Sequence, residues 1–318
     1  MPRDVQHRNR TDCRCPWFAL LAAGMPFVCW GQTTNIAVTP AADAFVRALA
    51  PASNYGAAGS LSVSGPEAVN GSGQPNGLFD SLIRFPMADL AASMNATFGS
   101  NAWLVAGVAL TVTEVAAPNN PIFDRGIGAF EIRWIASTNW AEGSGTPNQP
   151  TSDGVSYDDL ASVLNPQVDV GLGYFTNSGM NGTLSFPLPI AGALVSNIVA
   201  GADVSLYLTA ASPSVGFTFN SRNFTTSNAW PGLAVQVTAK PVPRINSIEH
   251  AGAGQVAIRF NTASNWTYAL QVLAGLPASG ASGWSNLLTI GAKPSDDEAV
   301  YVDGATNLQR LYRLQLSR

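Results

Sequence analysis

The chain has 318 residues, 46% of them apolar and only 11% charged, with a mean hydropathy of +0.12. That length accommodates two domains and a sizeable core, and so little charge is a poor match to long, salt-bridged helices. The formal charge is −4, and no basic stripe is present to neutralise phosphates, so nucleic acid is not an expected partner.

The first residues read as an export signal. Arg3, Arg8, Arg10 and Arg14 make a basic lead, and residues 17–30 form an apolar run of 14 residues. A bilayer span needs about 20 residues, so no membrane span is expected here. Cys29 and Gly31 place small side chains at the −3 and −1 positions, which predicts a signal peptide over 1–31 and a secreted or cell-surface protein. All three cysteines, Cys13, Cys15 and Cys29, fall inside that segment. The exported chain would then have no disulfide, thiolate nucleophile or cysteine metal site. Its net charge would move from −4 to −6, because the segment carries four Arg and two Asp.

The abundance of Gly (30) and Pro (21), with many Thr, Ser, Asn and Val, favours short strands and turns. In chain order, strands are expected at 44–47, 61–64, 82–85, 105–115, 129–135, 204–208 and 233–237. Residues 129–135 alternate clearly, with Phe130, Ile132 and Trp134 on one face and Glu131 and Arg133 on the other. Asn70-Gly71, Asn76-Gly77 and Asn181-Gly182 mark turns. The one expected helix covers 187–199, where Ile190, Leu194 and Ile198 recur at helical spacing. Lys240-Pro241-Val242-Pro243 is a stiff hinge that divides the chain into a domain over 32–240 and a smaller one over 241–318. Six further strands are expected beyond it, at 245–248, 256–260, 268–272, 287–290, 299–302 and 311–316, with Trp266 and Trp284 as core anchors. The expected fold is all-β: a jelly-roll-like antiparallel sandwich followed by a small fibronectin- or immunoglobulin-like sandwich.

Several short segments stand in a recognisable order: Asp43-Ala44-Phe45-Val46-Arg47, Asn54-Tyr55-Gly56, Leu82-Ile83-Arg84-Phe85, Trp140-Ala141-Glu142-Gly143, Ser221-Arg222 and Trp230-Pro231-Gly232-Leu233. Together they resemble the DNRLRE family, which is also described as a carbohydrate-binding-module family with a jelly-roll-like sandwich. The resemblance covers residues 40–238 and departs after Glu142, where Ser144 to Gly154 form a Gly-, Pro- and polar-rich insertion. Tyr268 to Val272, Trp284-Ser285-Asn286-Leu287, Val302-Asp303 and Arg310 to Leu314 resemble a small C-terminal module common on secreted bacterial proteins. The first resemblance implies non-catalytic binding of a polysaccharide or cell-surface glycan, and the second implies presentation or attachment at the surface.

No pattern for catalysis is evident. Beyond the signal the sole histidine is His250, without a nucleophile elbow to partner it, and one His without Cys cannot build a multi-His metal centre. Glu131, Glu142, Asp153, Asp158 and Asp159 are the carboxylates available for glycoside chemistry, but nothing singles out a pair. For sugar stacking the candidate aromatics are Tyr55, Trp140, Tyr157, Tyr174 and Trp230. Asp43 and Asn54 carry the oxygens that a structural calcium ion prefers, although the same side chains also cap turns. Arg84, at the end of an apolar run, calls for a carboxylate partner such as Glu142 or Asp43. A structural or adhesive surface protein without a small ligand is the alternative reading, and a polysaccharide hydrolase or lyase a remote one.

Overall fold

The computed structural model describes residues 33–70, 72–115, 126–252, 254–274, 283–304 and 309–317. The expected signal segment, its cysteines and Gly71 of the first expected turn lie outside these residues.

The long alternating run folds as β5 (Trp103–Glu114), with inward residues such as Val108, Leu110 and Val112 buried at every second position. It pairs antiparallel with β11 (Gly232–Ala239) on one side and with β8 (Gly182–Leu188) on the other. The strand β1 (Thr33–Val38) continues this half beyond β11. A second half consists of β2 (Ala42–Arg47), β4 (Phe79–Phe85), β9 (Val204–Ala210), β6 (Ala129–Ile135) and β7 (Val170–Thr176), in that spatial order. Between the halves lie β3 (Ser60–Ser64) and β10 (Gly216–Asn220), paired along their length. Their outward links are single residue pairs, Ser64 with Phe79 and Phe219 with Glu114.

Among the described residues these eleven strands make one antiparallel sheet. Its narrow links at β3 and β10 let it fold over, because one core draws on both halves. Ile83, Ile132 and Leu206 enter from one side, and Val108, Leu110, Phe186 and Val235 from the other. Phe130 bridges them, edge-on to Phe186 at 5.2 Å and stacked on Phe217 at 4.8 Å. Two helices seal the core. The first, α1 (Ala88–Phe98), was not expected; its Leu90 and Met94, four residues apart, face inward. The helix expected from 187 starts later, as Pro187 and Leu188 belong to β8. A four-residue helix, α2 (Leu160–Val163), precedes it, and it is α3 (Gly192–Ala200), burying Leu194 and Ile198. Gly201 stops α3 in the left-handed region, at φ 70°, where glycine carries no Cβ penalty.

Beyond the hinge all six expected strands form. β12 (Ile245–Gly252), β13 (Gln255–Thr262) and β16 (Asp297–Asp303) make one antiparallel sheet. The second has β14 (Thr267–Ala274) at its centre, between β15 (Ser285–Ile290) and β17 (Arg310–Ser317). Ile258, Phe260, Tyr268 and Leu270 fill the space between, so Phe260 and Tyr268 are the large anchors. Trp266 packs partly buried at the margin, and Trp284 is not in the core at all: Arg313 lies 4.3 Å over its ring. The fold is all-β in class, as its composition and alternation predict.

Candidate functional site

The short segments around Asp43, Asn54, Glu142 and Arg222 are far apart in sequence and meet in space. Asn54 is fully buried and bonded at each polar atom. Its Nδ2 donates to the carbonyls of Glu142 and Val155, at 2.7 and 2.8 Å, and its Oδ1 accepts from the amides of Gly56 and Gly145, at 3.0 and 3.2 Å. The insertion is thereby clamped to the 54–56 turn. Gly56 is required there, since a Cβ would sit 1.8 Å from the Glu142 carbonyl. Arg222 donates through Nη1 to Glu142 Oε2 at 2.5 Å, and its backbone amide donates to Asp43 Oδ2 at 2.7 Å.

Asp43 is fully buried with Oδ1 unpartnered. Burial pushes its carboxyl up to about 8, the Arg222 amide opposing the shift and Glu142 adding to it. The lone pairs and protons of the Asn54 amide are all used by protein groups, which leaves none of its oxygen for a cation. Among the described residues no group of three or more His, Cys, Asp and Glu converges. Asp43 and Asn54, expected as cation ligands, instead hold loops together.

Tyr55 and Trp140, expected to face a sugar, are 5% exposed each. Tyr55 stacks on Phe45 at 4.5 Å inside the main core. Trp140 belongs to a second core on the outside of the β2–β4–β9–β6 half, where residues 136–165 cross it. Ala44, Val46, Leu82, Ile135 and Tyr207 point outward there and are covered by Trp140, Val155, Leu160 and Val163. Arg84 packs 5.1 Å from the Trp140 ring, donates to the carbonyls of Thr138 and Trp140, and reaches Asp203 at 3.6 Å. Its carboxylate is thus Asp203 rather than Glu142 or Asp43. Trp230 spends its Nε1–H on the Phe224 carbonyl at 2.7 Å.

Among the described residues, the excursion over 136–165 leaves the same outer face open at its β6–β7 end. Cross-strand register aligns Thr209, Glu131 and Tyr174 in one row, and Tyr207, Arg133 and Gly171 in the next. Tyr174 is 71% exposed. Glu131 and Arg133 pair at 3.3 Å, half-buried. The Glu131 carboxylate extends over bare Gly171, where a Cβ would meet it at 2.9 Å. Toward the covered end, Tyr207 donates to Asp80 Oδ2 at 2.8 Å. Burial pushes the Asp80 carboxyl up, against the opposing bonds of Thr209 and Tyr207. Tyr157 borders this cluster: its hydroxyl is shifted up by burial and then by the Asp80 charge. Thus Tyr157 and Tyr174 flank one polar strip, Tyr157 partly buried against the second core and Tyr174 open. Glu131 and Arg133 were legible as one face of an alternating strand, whereas Asp80, Tyr207 and Thr209 needed the strand order to be found.

Asp153 and Asp159 serve turns, and the backbone amide of Asp158 donates to the Pro51 carbonyl at 3.0 Å. Asp153 binds Ser144 and Thr151, whose hydroxyls hold it down to about 2, and Asp159 accepts from Ser156. Both line an open groove of about 560 Å³ beside Trp140. His250 is exposed and accepts the Gly252 amide, at 3.1 Å, through Nδ1. No helix among the described residues is long and apolar enough to cross a membrane. No family model matches the chain, and no curated protein matches it, so the DNRLRE resemblance rests on the residues that carry it.

Proposed function

We propose that this is a secreted, non-catalytic protein that binds a polysaccharide or cell-surface glycan on the uncovered outer face of β6 and β7. The observation that carries this reading is Tyr174, 71% exposed and in register with Glu131 and Thr209. An exposed tyrosine ring offers a flat apolar surface to a sugar, while Glu131 accepts and Arg133 donates to hydroxyls at its side. An open sheet face suits a chain that runs past it better than a small molecule enclosed in a pocket. The absence of catalysis is part of the proposal, and it is supported by the commitments of the candidate carboxylates: Glu142 to Arg222, Asp153 and Asp159 to hydroxyls.

The test is retention of the full chain on immobilised cellulose, chitin, xylan and uronic-acid polymers, with wild type beside Tyr174→Ala. Selective retention that Tyr174→Ala weakens by about tenfold, the worth of one stacked aromatic, is the expected result. Retention by none of them, with self-association instead, would favour the structural reading.

A further inference from the structure

We propose a second binding site, on the solvent face of the β15–β14–β17 sheet, that recognises the carboxylate of an acidic, uronate-containing polysaccharide. Three polar side chains line up across the three strands, because register places Asn286 opposite Gln271 and Gln271 opposite Arg313. Gln271 Nε2 donates to Asn286 Oδ1 at 2.8 Å, and Arg313 Nε donates to Gln271 Oε1 at 2.8 Å. The guanidinium lies 4.3 Å over the Trp284 ring. Arg313 is therefore held flat by an aromatic face and fixed in rotation by an amide, while it and Asn286 remain exposed.

Charge decides what such a row recognises. Arg84, Arg133, Arg222, Arg259 and Arg310 each face an Asp or Glu. Arg313 has no carboxylate partner among the described residues. In a chain of net charge −4 it is an available cation, already ordered, with a planar fork whose geometry matches a carboxylate. Pre-ordering by Trp284 and Gln271 lowers the entropy cost of capturing one. The amides of Gln271 and Asn286 extend the row with groups that bond hydroxyls. The row lies on a strand surface where Asn286 and Arg313 are exposed, so an extended polymer with carboxylate and hydroxyls on successive residues can run along it. This site does not depend on the Tyr174 face.

The experiment is affinity electrophoresis of the full chain in gels containing polygalacturonate or its fully methyl-esterified form, which keeps the backbone and loses the charge. Wild type should be retarded more by the acid than by the ester, and the difference should shrink as salt is raised. Arg313→Gln should weaken retardation by the acid about ten- to a hundredfold, the worth of a charged hydrogen bond. Asn286→Asp, which adds to the row a negative charge that repels the carboxylate of the polymer, should do the same while leaving retardation by the ester unchanged. Tyr174→Ala should keep the preference for acid over ester. The proposal is overturned if wild type treats acid and ester alike, or if both row variants, with unfolding temperatures equal to wild type, retain the preference.

Discussion

Asn54 shows how one side chain can matter more as fastening than as ligand. Its four hydrogen bonds tie the 54–56 turn to residues 142–155, three of them buried and the one to the Glu142 carbonyl partly so. Asn54→Ala leaves two carbonyls and two amides unpaired, so a loss of roughly 3–5 kcal/mol is expected in urea unfolding. Chelator should leave the wild-type midpoint unchanged, because the amide has no oxygen left for a cation.

Asp43 makes a prediction with a sign. Its carboxyl titrates near 3.8 when unfolded and about 8 when folded, so the folded state holds the proton longer. Below roughly pH 4 both states are protonated and the group is neutral to stability. As pH rises from about 4 to 8 the unfolded state alone releases the proton, and stability falls across that window. Asp43→Asn keeps an acceptor for the Arg222 amide without the titration. Urea midpoints at pH 5 and pH 8 should therefore differ less in the variant than in wild type. Equal slopes in the two proteins would contradict the assignment.

At the scale of elements, the decisive feature is the excursion over 136–165. It converts the outside of β2, β4, β9 and β6 into a second interior, and Trp140 is its largest buried member. Trp140→Ala should cost about 3–5 kcal/mol. It should also expose the excursion first, seen as early cleavage within 144–165 in limited proteolysis while the remainder resists. Cleavage elsewhere at the same rate would show that the excursion is not a separate layer.

Legibility in the sequence followed the same division. Strands β5 and β6 could be read because alternation reports a single buried face. In β2 (Ala42–Arg47) five consecutive residues are buried, since the excursion covers the side that would otherwise be polar, and no local pattern announces that. Strands β7 and β8 were not expected: Gly171, Gly173, Gly182 and Pro187 obscure their period. The short segments around Asp43, Asn54, Glu142 and Arg222 could be set in order along the chain, yet their mutual contacts appeared only when the four residues were seen together. Spacing along the chain carries no information on that convergence. Trp284 was misplaced for a related reason, since an isolated tryptophan in a strand-rich stretch gives no sign of which face it occupies.

At the scale of the molecule, two strand surfaces carry exposed polar and aromatic groups that the proposals use: the β6–β7 end with Tyr174, and the β15–β14–β17 row with Arg313. A chain that crosses both would gain avidity from the second contact without needing high affinity at either. The hydrolase alternative predicts that Glu142→Gln abolishes turnover. In this structure the substitution breaks the Arg222 pair and weakens the Asn223 and Asp43 contacts, so reduced stability is its expected effect.

The most direct measurement is calorimetric titration of the full chain with the glycan that it retains best, comparing wild type, Tyr174→Ala and Glu142→Gln. Binding without release of sugar, about tenfold weaker in Tyr174→Ala at an unchanged unfolding temperature, is the predicted result. Undiminished affinity in Tyr174→Ala, or release of reducing sugar that Glu142→Gln abolishes in a folded protein, would contradict it.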